Sequence, residues 1–330
     1  MGPFTVEDTA IMRHPFALII VFILISITDI GATKIPIIDS HSQVDQKIPL
    51  TEILSLMDQA KVAHTILAAR GRRKPKDIIS FANRYPNRIT PAVRTKGGAY
   101  LEGPKQFKLF LEKQMRSPQF GAMAEVLLWH AKKKKAPSVM LGSGKMGKPP
   151  KVVVPPDDPR VQIALSKAIE KRWPFIAHIE FAAAGANYDV FMAKFEELLR
   201  RNIKHPFVLI HMGELQVDEA RRLVSNYENI YFNTAMSNPI AVERSAQPLV
   251  NLFKETQLAP EWIELFVSYP DRFILGFDNV FSGHWRKFYV KQVALWRKAL
   301  SDLPENVAHS LAHANAEKLW RLPPAKYSAR

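Results

Sequence analysis

Four residues of this chain close short apolar runs with side chains that ligate metals or move protons: His41, His178, His211 and Asp278. The runs are Ile35-Pro-Ile-Ile-Asp-Ser-His41, Pro174-Phe-Ile-Ala-His178, Pro206-Phe-Val-Leu-Ile-His211 and Arg272-Phe-Ile-Leu-Gly-Phe-Asp278. Imidazoles and carboxylates do general acid–base work and hold divalent ions near neutral pH. A lone histidine at a strand end means little. Four strands that end alike imply one site at one end of a parallel sheet. Because side chains alternate along a strand, Asp39, His41 and Gln43 are expected to share a face as the first run leaves the core. Glu125 lies inside another apolar run, Ala124-Glu-Val-Leu-Leu-Trp129. A charge there is seldom buried unpaired, so it faces the site or pairs with a cation.

The elements that would position these groups alternate along the chain. Apolar runs rich in β-branched or aromatic residues recur at 35–39, 64–68, 88–93, 122–128, 174–178, 206–211, 229–234 and 272–277. Between them, helical spacing runs through Thr51–Val62, Asp77–Tyr85, Lys105–Arg116, Arg160–Arg172, Tyr188–Arg201 and Asp218–Tyr227. Asp158-Pro159 before Arg160 marks a helix start. Strands alternating with helices predict βαβ units and a parallel sheet. Eight such units predict an α/β fold, a (β/α)8 TIM barrel over residues 35–324, with 325–330 as a tail.

Composition narrows the chemistry further. Hydrophobic residues are 47% of the 330, enough for a large core, and the absence of cysteine excludes disulfides, cysteine metal sites and thiol nucleophiles. The 46 Lys and Arg against 31 Asp and Glu favour an acidic partner. Their placement says which kind. Arg70, Arg72, Arg73 and Lys74 follow the second run, and Arg94 and Lys96 follow the third. Lys132–Lys135, Lys145, Lys148 and Lys151 fall in a long Lys-, Gly- and Pro-rich connection, 129–159, after the fourth. Loops after barrel strands all open on one face, so one side of the mouth is expected to be positive and to draw in a small anionic substrate. Arg70 and Arg94, nearest the strand ends, are candidates for gripping a carboxylate by two hydrogen bonds. No nucleic-acid motif or aromatic-interleaved basic helix is present, so nucleic acid is not an expected partner. Gly142-Ser-Gly-Lys-Met146 lacks the first glycine and the hydroxyl residue of a phosphate loop.

Residues 1–34 read as a targeting segment. Arg13 and His14 precede the apolar stretch Pro15–Ile27, which ends near Gly31 and Ala32 and suits a signal-peptide core better than a membrane span. The expectation is export with cleavage near Ala32, or retention as a membrane anchor through residues 15–30; a buried helix is the third reading. Either of the first two places the folded part in the periplasm or outside the cell.

In order and spacing these pieces resemble the amidohydrolase superfamily, specifically its amidohydrolase-2 branch of metal-dependent hydrolases and decarboxylases. Ile37-Ile-Asp-Ser-His41 resembles that branch's opening strand, which normally ends Asp-x-His-x-His. Asp157-Asp-Pro-Arg160 followed by Trp173-Pro-Phe-Ile-Ala-His178 is similar to its fourth-to-fifth unit. Pro206-Phe-Val-Leu-Ile-His-Met-Gly213 resembles the sixth strand, Asp271-Arg-Phe-Ile-Leu-Gly-Phe-Asp278 the eighth, and Ala314-Asn-Ala-Glu-Lys-Leu-Trp-Arg-Leu322 the last helix. The resemblance implies that His41 and His178 ligate a divalent metal, usually zinc, with manganese the second choice. It implies that Asp278 binds the metal or acts as general base toward its water, and that His211 polarises the substrate or orients that water. Neutral imidazole suits zinc, and a catalytic zinc keeps an open position for water, whose pKa it can lower to about 7.

Gln43 departs from the pattern, standing where the second histidine of the opening strand belongs. A neutral amide oxygen is a poor zinc ligand, so the metal is expected to be weakly held, tuned to a harder ion, or absent. Gln43 and Glu125 are the further candidate ligands. The expected function is therefore metal-dependent hydrolysis of a small anionic molecule, with metal-activated water attacking a C=O bond and Asp278 as general base. A non-oxidative decarboxylase, a metal-free lactonase and a catalytically lapsed binding barrel are the alternatives. Taken singly, His178 and His211 also read as core histidines bonded to backbone.

Overall fold

All eight apolar runs become strands in the computed structural model, which describes residues 1–2, 35–131, 139–140, 146–147, 151–245 and 248–326. They are β1 (Ile37–Val44), β2 (Val62–Ala69), β3 (Ile89–Val93), β4 (Ala122–Met123, resuming as Val126–His130), β5 (Phe175–Ile179), β6 (Phe207–Leu209), β7 (Ile230–Asn233) and β8 (Phe273–Ile274). The first part of β4 pairs parallel with β3 and the second with β5, so the two ladders meet within one strand. The ring closes between β8 and β1: the Ser40 amide donates to Leu275 O at 3.2 Å, Asp278 to His41 O at 2.8 Å, and Gln43 to Asn279 O at 2.7 Å. The fold is the (β/α)8 TIM barrel.

One helix packs outside the barrel after each strand: α1 (Leu50–Ala60), α2 (Pro75–Arg84), α3 (Pro104–Met115), α4 (Pro159–Lys171), α5 (Tyr188–Arg201), α6 (Val217–Asn226), α7 (Pro260–Ser268) and α8 (Val290–Ser301). The sequence signal for α4 is met in detail. Asp158 Oδ1 accepts from the Arg160 amide at 2.8 Å, Pro159 opens the helix where no amide is needed, and Arg172 ends it in the left-handed region. Its buried face is Val161, Ala164, Leu165 and Ala168, a spacing of three and four. Burying Val161 and Leu165 contributes about 2 kcal/mol each.

β1 runs five residues beyond the predicted end. Its polar half stays buried because it forms the seam with β8 and lines the barrel mouth. Asp39 sits opposite Thr65 and Ser42 opposite Leu67, so β1 carries one extra residue between them. That bulge breaks the expected alternation. Asp39 therefore does not join His41 and Gln43: it accepts from Ser42 Oγ at 2.6 Å and the Phe277 amide at 3.0 Å, stitching β1 to β8. Burial pushes its pKa up to about 7 against those two bonds.

His64, on β2, tests how burial couples the barrel wall to pH. Its Nδ1–H donates to Asn87 O at 3.1 Å, and Nε2 accepts from Thr90 Oγ1 at 2.8 Å. Burial depresses its pKa to about 4, so the folded state holds it neutral while the unfolded chain protonates near 6.5. The folded state thus binds fewer protons. Its stabilising contribution is complete above pH 6.5 and is lost as pH falls toward 4. Urea unfolding at pH 7 and pH 5 should show about 2 kcal/mol less acid loss in His64→Gln than in the wild type. Equal losses would assign the acid sensitivity elsewhere.

Residues 3–34 and about half of the long 129–159 connection, including Lys132–Lys135, Lys145 and Lys148, lie outside the described residues. The described end of that connection returns antiparallel to β4, pairing Val152 with His130 and Val153 with Trp129. Among the described residues no helix is long and apolar enough to cross a membrane.

Candidate active site

The groups picked out in the sequence meet at the C-terminal ends of the strands, the end where barrel loops can surround a ligand. Glu125 lies at their centre. It occupies the break in β4, fully buried, where the strand changes partners from β3 to β5. Thr95 Oγ1 donates to its backbone carbonyl, which ties the β3 loop to the break.

Its carboxylate collects donors from three directions. Oε1 accepts from Gln43 Nε2 at 3.0 Å and from the Lys96 ammonium, while Oε2 lies 2.5 Å from His178 Nδ1. Burial alone would raise the Glu125 pKa, but Lys96 and His178 overcome it and hold the carboxyl well below the usual range. Glu125 is a fixed anion that both faces the site and pairs with a cation.

His178 is clamped. Its Nε2 lies 2.9 Å from Glu180 Oε1, so both ring nitrogens meet carboxylates. Burial opposes the imidazolium, yet Glu125 and Glu180 on either side raise its pKa above the ordinary value. Glu180 is held in turn by the Ala131 amide at 2.6 Å.

Asp278 and His211 sit on strained backbone at the ends of β8 and β6. Asp278 has φ 43°, and His211, Met212, Gly213 and Glu214 form a left-handed turn with φ of 57°, 54°, 65° and 56°. Left-handed conformation costs a non-glycine residue about 1–2 kcal/mol, so the surrounding packing must impose it. Gly213 is required there, because a Cβ would lie 2.4 Å from Leu209 Cδ2. The turn aims His211 inward: Nδ1–H donates to Ala235 O at 3.0 Å, leaving the Nε2 lone pair 3.6 Å from Asp278 Oδ2. Burial, and then the neighbouring His178, lowers the His211 pKa to about 4. Burial and Glu125 push Asp278 upward, but the charges around it, Lys96 among them, outweigh these and keep it below the usual aspartate range.

The second position of the opening strand has an observed role. Gln43 Nε2 donates to Glu125 Oε1 and to Asp278 Oδ1, at 3.0 Å each, while Arg70 Nη1 donates to its Oε1 at 2.9 Å. A guanidinium can only donate, so Arg70 fixes the amide with its NH2 toward the carboxylates. Gln43 thus presents donors where a ligand was considered.

Arg94 corrects the pairing of arginines expected at the mouth. Its Nε donates to Lys96 O at 2.8 Å and its Nη1 to Gly71 O at 2.9 Å, so the side chain braces the β2 and β3 loops. Burial, then the neighbouring Arg70, lowers its pKa to about 10. Lys96 is the site residue that sequence reasoning passed over. Three positions beyond the end of β3, it looked like one more cation of a basic loop. Glu180 lies two residues after His178, at the same strand end.

Among the described residues, three sets of ligating atoms lie within 4.8 Å of one another: His41, Glu125 and Asp278; Glu125, His178 and His211; and His130, His178 and Glu180. The first fits a divalent ion best. His41 Nε2 is buried, has no hydrogen-bond partner among the described residues, and lies 3.5 Å from both Glu125 Oε1 and Asp278 Oδ1. That is too long for good hydrogen bonds. It matches the spacing of ligand atoms around one ion at about 2.1 Å. The other two sets depend on His178, whose nitrogens are both engaged by carboxylates, which sets it apart from the ligand role expected of it.

The amidohydrolase family model Amidohydro_2 matches residues 145–322, more than half of the chain, including β5 to β8 with His178, His211 and Asp278. The chain belongs to the amidohydrolase family. Among solved structures, this amidohydrolase is similar to an uncharacterised TIM-barrel protein from Bordetella bronchiseptica, at 14% identity over 83% of each chain with a TM-score of 0.54. At that identity the likeness shows the barrel. A molinate hydrolase (11% identity, 84% of this chain and 68% of that one, TM-score 0.48) and a dihydroorotase (13%, 80% and 66%, 0.43) are more distant likenesses. No curated protein sequence matches the chain. The amidohydrolase therefore carries the fold of metal-dependent hydrolases, with His, Glu and Asp groups placed to hold a metal at its mouth.

Proposed function

We propose that this amidohydrolase hydrolyses an amide, ester or lactone bond in a small anionic organic molecule. The observation that carries the reading is His41 Nε2, without a hydrogen bond among the described residues, facing two ionised carboxylates, with Arg70 and Lys96 beside them. His41, Glu125 and Asp278 would hold one divalent ion, which when bound polarises a carbonyl and acidifies water.

The chain's own residues supply the rest. Asp278 has two distinct oxygens, Oδ1 toward His41 and Gln43 and Oδ2 toward His211. Oδ2 is free to take a proton from the attacking water and return it to the leaving group. His211 is neutral and offers Nε2 only as an acceptor, so it orients that water. It has no Nε2 proton with which to polarise the substrate, the other role the resemblance implied; steadying a developing oxyanion falls to the neighbouring cations.

With a divalent ion offsetting Glu125 and Asp278, Arg70 and Lys96 would be left as positive charges that an anionic substrate would satisfy. A panel of carboxylated and neutral amides, esters and lactones tests this. Arg70→Met should cut kcat/KM for carboxylated substrates roughly ten- to hundredfold more than for neutral ones, since both lose the brace on Gln43 but only the former lose the cation that binds them. Equal losses on both would remove the anion from the proposal. Carbon dioxide release without hydrolysis would make the protein a decarboxylase.

A further inference from the structure

Glu125 Oε1 has too many partners for one oxygen. Gln43 Nε2 and the Lys96 ammonium both donate to it, and His41 Nε2 faces it at 3.5 Å. A carboxylate oxygen offers about two lone-pair directions, and two N–H donors already take them. A divalent ion shared with His41 and Asp278 must therefore displace one donor. Gln43 is held at both ends, by Arg70 on its oxygen and by Glu125 and Asp278 on its nitrogen. Among the described residues the Lys96 ammonium makes one hydrogen bond, at the end of a flexible side chain that is 15% exposed. Its backbone does not have to move, because Arg94 grips the Lys96 carbonyl and Thr95 is tied to Glu125 O.

We propose that Lys96 is the resident cation of the site and that a divalent ion binds Glu125 by displacing its ammonium. The inference rests on His41, Glu125 and Asp278 being the ion-holding set. It follows from charge as well as geometry. Lys96 and Arg70 already offset Glu125 and Asp278, so an ion that leaves the ammonium in place adds two charges to a balanced site. This position gives the chain its own competitor for the metal, beyond the loss of a ligand at Gln43.

The test is calorimetric titration of zinc, then manganese, into the chelator-treated full-length chain and its Lys96→Met variant. Lys96→Met should bind tighter by roughly tenfold or more, since metal entry no longer breaks a charged hydrogen bond. Equal or weaker binding in the variant overturns the proposal and leaves the ion-holding set standing. Absence of binding in both proteins overturns the ion-holding set and the competition with it. Lys96→Gln, which keeps a donor without the charge, replaces Lys96→Met if circular dichroism shows the latter unfolded. It should also bind tighter than the wild type, and equal affinity there overturns the proposal.

Discussion

Asp278→Asn should lower kcat by about 10³-fold on any substrate the protein turns over, with KM changed far less. The asparagine keeps the size of the side chain but cannot accept and return a proton. The geometry explains why no neighbour would take over. Glu125, the other carboxylate at hand, has Oε1 bonded to Gln43 and Lys96 and Oε2 against His178. His211 is neutral and does accept, but its depressed basicity, with a pKa of about 4, makes it a poor base. Single-turnover rates at saturating zinc separate proton transfer from weaker metal binding. Full activity in that variant would mean that Asp278 is only a ligand or a structural group.

The second large effect is on folding. Glu125→Gln should destabilise the barrel by about 3–5 kcal/mol, the cost of leaving a buried charge without its partner. Removing the carboxylate strands the Lys96 ammonium and deprives His178 of one of its two anions. The double variant Glu125→Gln/Lys96→Met removes both charges together and should recover much of the loss, because an apolar replacement of a buried ion pair is often near neutral. Urea unfolding of the wild type, both single variants and the double variant completes the cycle. A single Glu125→Gln that unfolds like the wild type would show that the pair does not support the fold.

Much of this was legible before any coordinates. The eight runs between Ile35 and Phe277 each became a strand because their β-branched and aromatic residues suit a strand buried on both faces. The helix start at Asp158-Pro159 appeared as read, since a cap and a proline act within four residues. Glu125 was picked out by polarity alone, as a charge in an apolar run, and it is the centre of the site. Other readings stopped where geometry beyond the local chain takes over. Asp39 was assigned to the wrong place because one extra residue in β1, invisible in a strand pattern, shifts which side chains face inward. Arg94 and Lys96 could not be told apart, because both follow the same strand, and only their tertiary partners make one a brace and the other a site cation.

The sequence by itself determined that the chain is an alternating α/β barrel and that His41, His178, His211 and Asp278 stand at strand ends. Those properties depend on residue type and short-range spacing. Only the tertiary structure decided which charges meet: Lys96 on Glu125, Arg70 on Gln43, and His178 between Glu125 and Glu180. The physical reason is range. Strand and helix patterns are set by neighbours a few residues apart, whereas the charge and donor balance of the site joins residues as distant as Gln43 and Asp278, 235 positions apart.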